Sequence, residues 1–294
     1  MRSVLITGGS GFLGNGLVRE LLARGTERIC IFSRDEAKQA AMRTRIEDPD
    51  QRLHWFVGDV RDRQRLVRAM EGVDTVIHAA ALKRVEVGEY NPGEMAKTNV
   101  IGTMNVIEAA IDAGVRKVVG ISSDKACQPF NAYGASKLMM EKLILGAQNT
   151  RGRDGPVYSV CRYGNVVGST GSVIPTWRTA LREGKGGIWI TEPDATRFWM
   201  TLQEAVTLVL DVAGGMNGGE LYVPGMNSNG LHIPQLPAYR LGDLARAMDL
   251  PRPLRVAGLG PGEKLNERML EDGPDSSQVR RMTIDELREG LAKL

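Results

Sequence analysis

Cysteine is scarce in this chain, and so is any excess of charge. The three cysteines (Cys30, Cys127 and Cys161) are odd in number and widely spaced. Cys30 and Cys161 sit inside apolar, strand-like runs and read as small core residues, which argues against a disulfide framework or a zinc site. With 38 basic against 35 acidic residues the net charge is only +3, so nothing in bulk draws the chain to nucleic acid or a membrane surface. The basic residues are spread along the sequence, as a solvated surface has them. No apolar run reaches membrane-spanning length, so no membrane insertion is expected. A strand beginning at Arg2 leaves no room for a signal peptide, which makes a reduced, cytoplasmic protein the expectation. Internal repeats and low-complexity tracts are absent too. What remains is ordinary globular composition, 42% hydrophobic and 25% charged, in 294 residues. That is enough for a large core and for one large or two unequal domains.

The first informative stretch is at the start. An apolar run over residues 2–6 leads into Thr7-Gly8-Gly9-Ser10-Gly11-Phe12-Leu13-Gly14. Phe12, Leu13, Leu17, Val18, Leu21 and Leu22 then recur at helical spacing as far as Gly25, and Ile29-Cys30-Ile31-Phe32 forms a second strand. Strand, glycine turn, helix and strand make a βαβ unit whose glycines let the backbone approach a pyrophosphate at a helix N-terminus. Thr7, Gly8, Ser10, Gly11, Phe12 and Leu13 are the expected cofactor-binding residues of that turn. A site selective for NAD usually has an acid at the end of the second strand. Here the strand ends Phe32-Ser33-Arg34, with Asp35 and Glu36 a step further on and Lys38 nearby. Ser33 and Arg34 suit a 2′-phosphate, so NADP is expected. Asp59 and Val60 would flank the adenine, and Ala79, Ala80 and Ala81 the ribose and pyrophosphate.

The alternation continues with strands over 53–57, 75–78, 117–122 and 157–161 and helices over 65–70 and 94–113. This predicts an α/β fold with a Rossmann-like, doubly wound parallel sheet and ligands at the strands' carboxyl ends. Beyond Gly164 the texture changes to Gly/Pro-punctuated loops (168–175, 183–187, 214–219), short strands (188–190, 221–223) and short helices (203–213, 241–248). The expected organisation is a nucleotide-binding domain over 1–164, with 199–223 returning to it, and a smaller α/β substrate lobe from 165–198 and 224–294.

Between the fifth strand and the next helix lies Ile-Ser-Ser-Asp-Lys-Ala-Cys-Gln-Pro-Phe-Asn-Ala-Tyr-Gly-Ala-Ser-Lys, residues 121–137. Tyr133 and Lys137 are four apart, on one face of a helix. A neighbouring ammonium lowers a phenol's pKa from its reference value of about 10 by favouring the phenolate, which could then take a proton from a hydroxyl. Ser123, Asp124 and Lys125 precede them. Adjacent side chains on an extended strand end point to opposite sides, so Asp124 and Lys125 can share a site only if the chain bends, which Pro129 allows. Elsewhere bland readings prevail. His54 and His232 read as structural, His78 packs beside the cofactor, and Arg280-Arg281 is a solvated face. Met139-Met140 reads as core or oligomer contact, and Trp177 and Trp199 suit either the ligand pocket or lobe packing.

Thr-Gly-x-x-Gly-x-x-Gly, Gly-Asp-Val-Arg-Asp (58–62), His-Ala-Ala-Ala-Leu-Lys (78–83), Lys-Thr-Asn-Val (97–100) and Tyr-x-x-x-Lys together resemble the extended short-chain dehydrogenase/reductase family. Further segments narrow the likeness: Ser-Arg-Asp-Glu (33–36), Ser-Ser-Asp-Lys-Ala (122–126), Gly-Asn-Val-Val-Gly-Ser-Thr-Gly-Ser-Val-Ile-Pro (164–175), Thr-Arg-Phe-Trp-Met (196–200) and Pro-Gly-Glu-Lys-Leu-Asn-Glu (261–267). These are similar to the inverting UDP-N-acetylglucosamine 4,6-dehydratases that open pseudaminic acid and related pathways. The resemblance implies a cytoplasmic homo-oligomer acting on a UDP-activated amino sugar with tightly bound NADP, and no metal. It implies that Tyr133 and Lys137 oxidise C4, Lys137 lowering the phenol's pKa and anchoring the nicotinamide ribose. Lys125, with a lowered pKa, would take the C5 proton, and Asp124, with a raised one, would protonate the departing C6 hydroxyl. Lys83 would serve cofactor and substrate, with Ser123, Asn165, Ser172, Val173, Arg197 and Glu263 on the substrate and Asn99 as support. One departure stands out: Gly260 occupies the place of an Arg that usually holds the diphosphate, leaving Arg255, Lys264 and Arg268 as the nearest cations. No longer C-terminal tail is expected. Two rivals remain, a UDP-sugar C4-epimerase and a non-catalytic NADP-sensing regulator.

Overall fold

The structure, a computed structural model, describes residues 1–184, 188–250 and 254–294; part of the loop expected at 183–187 lies outside the described residues. Its frame is a seven-stranded sheet. The strands are β1 (Ser3–Thr7), β2 (Arg28–Ser33), β3 (Leu53–Val57), β4 (Thr75–His78), β5 (Lys117–Ile121), β6 (Val157–Cys161) and, further on, β9 (Leu221–Tyr222). Their order is β3-β2-β1-β4-β5-β6-β9 and every pairing is parallel. Strands such as Ser-Val-Leu-Ile-Thr are buried along their whole length because helices cover both faces. On one face α1 (Phe12–Ala23) packs with α9 (Leu202–Gly215) through Leu17, Val18, Leu21, Val206 and Val209. On the other, α3 (Arg63–Met70), α6 (Gly102–Asp112) and α7 (Ala132–Thr150) contribute Leu66, Met70, Val106, Ala110, Met140 and Ile144. The order reverses between β1 and β4, so the crevice for a ligand opens at the carboxyl ends of those strands.

The helix expected over 94–113 is three pieces. After α2 (Glu36–Arg43), a short α4 (Val85–Tyr90) that the sequence reading passed over and α5 (Pro92–Ala96), the chain widens into a π-turn at Lys97–Ile101 before α6 begins. The reason is local: the π-turn carries Asn99 inward, where its side chain binds other backbone.

Beyond β6 the remaining elements are α8 (Val173–Arg182), β7 (Trp189–Ile190), β8 (Thr196–Phe198), β10 (Asn227–Ser228), β11 (Leu231–His232), β12 (Ala238–Arg240), α10 (Leu241–Ala247), β13 (Arg255–Val256) and α11 (Ile284–Ala292). A separate apolar cluster, including Ile174, Trp177, Ile190, Trp199, Tyr239, Leu244 and Leu287, lies among them. Trp199 meets Tyr239 edge to face at 5.6 Å and Trp177 donates to the Trp189 carbonyl, so both tryptophans serve packing. Among the described residues no helix is long and apolar enough to cross a membrane.

Candidate active site

The glycine turn after β1 is a cradle that side chains would fill. Gly8 has φ +70°, and a Cβ on it would press against the Ala80 backbone at 3.0 Å; one on Gly14 would collide with the Gly9 carbonyl. Gly11 caps α1 without any side-chain hydrogen bond, leaving the first helical N–H groups for an anion. The cradle therefore fits the pyrophosphate of a dinucleotide. Behind it, the Thr7 hydroxyl lies 2.7 Å from His78 Nδ1, and His78 Nε2 3.0 Å from the Thr103 hydroxyl, while the Ala80 N–H donates to Thr7. Burial, helped by the Lys137 charge, pushes the His78 imidazole down to about 3, so it is neutral at physiological pH.

At the end of β2 the Ser33 hydroxyl accepts from Ser10 and from Gln39, each at 2.9 Å. Arg34 is exposed, 3.5 Å from Asp59, whose carboxylate also takes Arg61 at 2.7 Å. Asp35 is committed to its own helix: it accepts the Lys38 N–H and pairs with the Lys38 ammonium. Leu13 packs against the core and Phe12 lies beside Gly168. Val60, expected at the adenine, points its side chain instead into the core against Gly102, because α6 closes over the strand ends there.

After β5 the chain makes a single 3-10 turn, Asp124–Ala126. The Ser123 hydroxyl caps it by accepting the Lys125 N–H at 3.3 Å. The turn brings Asp124 and Lys125 to one side, with Nζ 3.2 Å from Oδ1. A side chain at Gly134 would strike the Lys125 carbonyl, so glycine lets α7 start directly beneath the turn. Asn131 caps that helix, accepting the Gly134 N–H at 2.7 Å. Tyr133 and Lys137 then point inward, 9% and 3% exposed.

Asp124 is fully buried; burial raises its carboxyl against the pull of Lys125, and Oδ2 has no partner. That is the expected direction. Lys125 is the reverse of the expectation. Burial is the strongest influence and would lower it, but Asp124 and Glu267 together hold the ammonium above its ordinary value. Nζ has three acceptors: Glu267 Oε1 at 3.0 Å, Asp124 Oδ1 at 3.2 Å and Asn165 Oδ1 at 3.2 Å. Tyr133 is raised by burial, partly offset by Lys125 and a hydrogen bond with Ser123. Lys137, expected to lower the phenol, contributes no such effect: its amine donates to the Ile121 carbonyl and to Met140 Sδ. Burial lowers it to about 8, with Glu141 opposing. Asn99 supports the site from below, bonding both the N–H and the carbonyl of Leu82 at 2.8 Å and the Ser136 hydroxyl at 2.9 Å.

Of the other anticipated residues Arg197 joins this cluster and the rest are dispersed. Arg197 donates to the Thr196 and Leu265 carbonyls and lies 3.9 Å from Glu267, beneath Lys125. Ser172 caps α8 without a side-chain hydrogen bond, its buried hydroxyl has no partner, and Val173 follows as the first helical residue. Lys83 is exposed after β4. Glu263 accepts the Gly260 N–H at 3.0 Å. Of the three cations near Gly260, Lys264 donates to the Cys127 and Gln128 carbonyls, Arg268 to the Glu271 carbonyl, and Arg255 stacks over Trp189. Lys264 and Arg268 line a cleft of about 400 Å³ with Gln128 and Phe130. Two residues went unassigned: Glu267, though it ends the Pro-Gly-Glu-Lys-Leu-Asn-Glu segment, and Arg84, whose guanidinium lies over Gly171. Their contacts cross long stretches of chain, which no local pattern records. Among the described residues no group of His, Cys, Asp or Glu is placed to hold a metal.

A family model described as polysaccharide biosynthesis protein matches residues 4–287. Over 270 residues, 92% of this chain and 77% of the relative, the sequence is 43% identical to an inverting UDP-N-acetylglucosamine 4,6-dehydratase of Campylobacter jejuni. A UDP-glucose 4-epimerase of Rickettsia rickettsii is 40% identical over 277 residues, again 92% and 77%. The X-ray structure of Pen from Bacillus thuringiensis superposes with a TM-score of 0.91 at 32% identity, covering 100% of this chain and 98% of that one.

Proposed function

The chain belongs to the polysaccharide biosynthesis protein family, within the extended short-chain dehydrogenase/reductases, and on that premise we propose that it is a UDP-N-acetylglucosamine 4,6-dehydratase inverting C5. The observation that carries the reading is the bent 3-10 turn, which sets Lys125 and a buried Asp124 carboxyl, its Oδ2 free of any hydrogen bond, beside Tyr133. A C4-epimerase, the reading favoured by the Rickettsia relative, needs the tyrosine and Lys137 but no acid for expelling water.

A nicotinamide dinucleotide held in the glycine cradle would supply the hydride acceptor at C4 and the hydride donor at C6. The chain's own residues move the protons. Tyr133 takes the C4 hydroxyl proton, its phenolate stabilised by Lys125 and Ser123. The resulting ketone acidifies C5, where Lys125 removes a proton, and Asp124 protonates the C6 hydroxyl so that it leaves as water. Reprotonation of C5 from the opposite face gives inversion. Ser33, Arg34 and Lys38 suit NADP: serine replaces the ribose-binding acid, and the nearest acid, Asp35, is engaged in capping α2. Self-association through α6 and α7 belongs to the same proposal.

Incubation with UDP-N-acetylglucosamine in heavy water, read by mass spectrometry, tests it. The expected product has lost one water and carries deuterium at C5, and the nucleotide released on denaturation is NADP. An unchanged mass with an epimerised sugar would establish the rival; no water lost from any UDP-hexose would end the dehydratase reading.

A further inference from the structure

Glu267 has no role in the scheme above, yet it is as well built into the site as Asp124. It is 2% exposed. Its N–H donates to the Ser276 hydroxyl at 2.9 Å, its carbonyl accepts the Ser276 N–H at 2.8 Å, and the Ser276 hydroxyl donates to the Thr196 carbonyl. That anchoring holds Oε1 3.0 Å from Lys125 Nζ and leaves Oε2 buried without a partner. The charged and titratable groups around it are Lys125 and Asp124 from the 3-10 turn, Arg197 from β8 and Lys264 from its own loop. Tyr133 of α7 and Tyr239 of β12 face the same Lys125–Asp124 pair.

The difficulty lies with Lys125. All three of its N–H bonds point at acceptors, so the amine that faces the substrate is an ammonium without a lone pair. Of the three acceptors, Asn165 cannot take a proton, and Asp124 must keep its own to serve as the acid. Glu267 is the one that remains.

We propose that Glu267 is the proton store of the elimination site, taking one proton from Lys125 so that the neutral amine can act at C5. The inference rests on the dehydratase reading. The step balances. One N–H bond of Lys125 breaks and its proton moves to Oε1 of Glu267. The freed nitrogen pair forms a bond to the C5 proton, and the C5–H electrons become the enolate. That pair in turn expels the C6 oxygen, which takes the Asp124 proton and leaves as water. Because Nζ touches both carboxylates, the stored proton returns from Glu267 through Lys125 to Asp124, restoring the acid for the next turnover. Glu267 acts through Lys125 and is a positioning residue. Against the effect of burial, Lys125 at 3.0 Å and then Arg197 at 3.9 Å keep it ionised between turnovers.

The test is Glu267→Gln, which keeps the shape and removes the proton acceptor. With UDP-N-acetylglucosamine, C4 oxidation, read as cofactor reduction, is expected to persist. C5 exchange in heavy water and loss of water should fall about a hundredfold at pH 7. Lys125 can then be neutralised only by solvent, so the variant's rate should climb about tenfold per pH unit above pH 7, a slope the parental protein lacks. Glu267→Asp should recover part of the neutral-pH rate. A Gln variant that dehydrates at the parental rate at pH 7, or one equally impaired at every pH while C4 oxidation persists, overturns the proposal. Should the Gln variant lose C4 oxidation too, the Asp variant is judged by the same two readouts. A parental protein that dehydrates no UDP-hexose would fail the dehydratase reading instead.

Discussion

His78 is wedged between two hydroxyls behind the cofactor cradle, and its environment leaves no water to solvate an imidazolium. In the unfolded chain the same ring titrates near 6.5; folded, it does so at about 3. Between those values the unfolded state binds the proton and the native state does not, so stability falls as pH falls. The slope from this residue is about 1.4 kcal/mol per pH unit, or about 2 kcal/mol from pH 6.5 to pH 5. Lys137 has the same sign in a different window. Its folded value of about 8 lies below the usual 10.5, so stability rises with pH between the two. Denaturant titrations at pH 7, 6 and 5 would check the histidine. His78→Gln is expected to remove most of the acid-side slope, and an unchanged slope would assign it to the carboxylates instead.

At the scale of elements, the π-turn between α5 and α6 exists for Asn99. Its amide clamps Leu82, in the segment that runs from β4 past the cradle, and reaches Ser136 on α7. Asn99→Leu would leave the N–H and carbonyl of Leu82 unpaired in a half-buried setting, at about 2–4 kcal/mol. The expected result is a lower unfolding midpoint together with weaker cofactor retention through purification; a variant that keeps both would make the clamp dispensable. This turn also marks where reading the sequence stopped working. Apolar spacing over 94–113 continues through the π-turn, so periodicity alone reported one helix. The β1–α1–β2 unit was legible because each of its signals is local: a buried-type run, glycines at fixed offsets, a helical stripe. Asp124, Lys125, Tyr133 and Lys137 were legible as candidates for the same reason. Their charge states were not. Lys125 is held as an ammonium by Asp124 together with Glu267, a residue from near the other end of the chain, and Tyr133 is tuned by Lys125 rather than by the Lys137 beside it in sequence.

For the whole molecule, the apolar residues left outside are as informative as those inside. Helices α6 and α7 pack together on one face of the sheet, and their outer surfaces carry Ile101 (47% exposed), Met104 (39%), Ile111 (51%) and Met139 (49%). Met140 is buried in the core, whereas its neighbour Met139 is exposed. From the end of the π-turn into α6 the residues recur at 101, 104 and 111 on one helical face, which Glu108 shares. A monomer gains nothing from exposing these apolar side chains to water, whereas a second copy related by a two-fold axis would cover them. The active-site crevice opens at the strands' carboxyl ends, away from these helix flanks, so association would leave it accessible. Met104→Glu combined with Ile111→Lys is therefore expected to convert a dimer or larger assembly to monomer by light scattering. Since Tyr133 and Lys137 sit on the inner face of α7, losing the outer support should also lower the midpoint of thermal unfolding by a few degrees. A parental protein that is already monomeric at micromolar concentration would leave these side chains without this partner and remove self-association from the proposal.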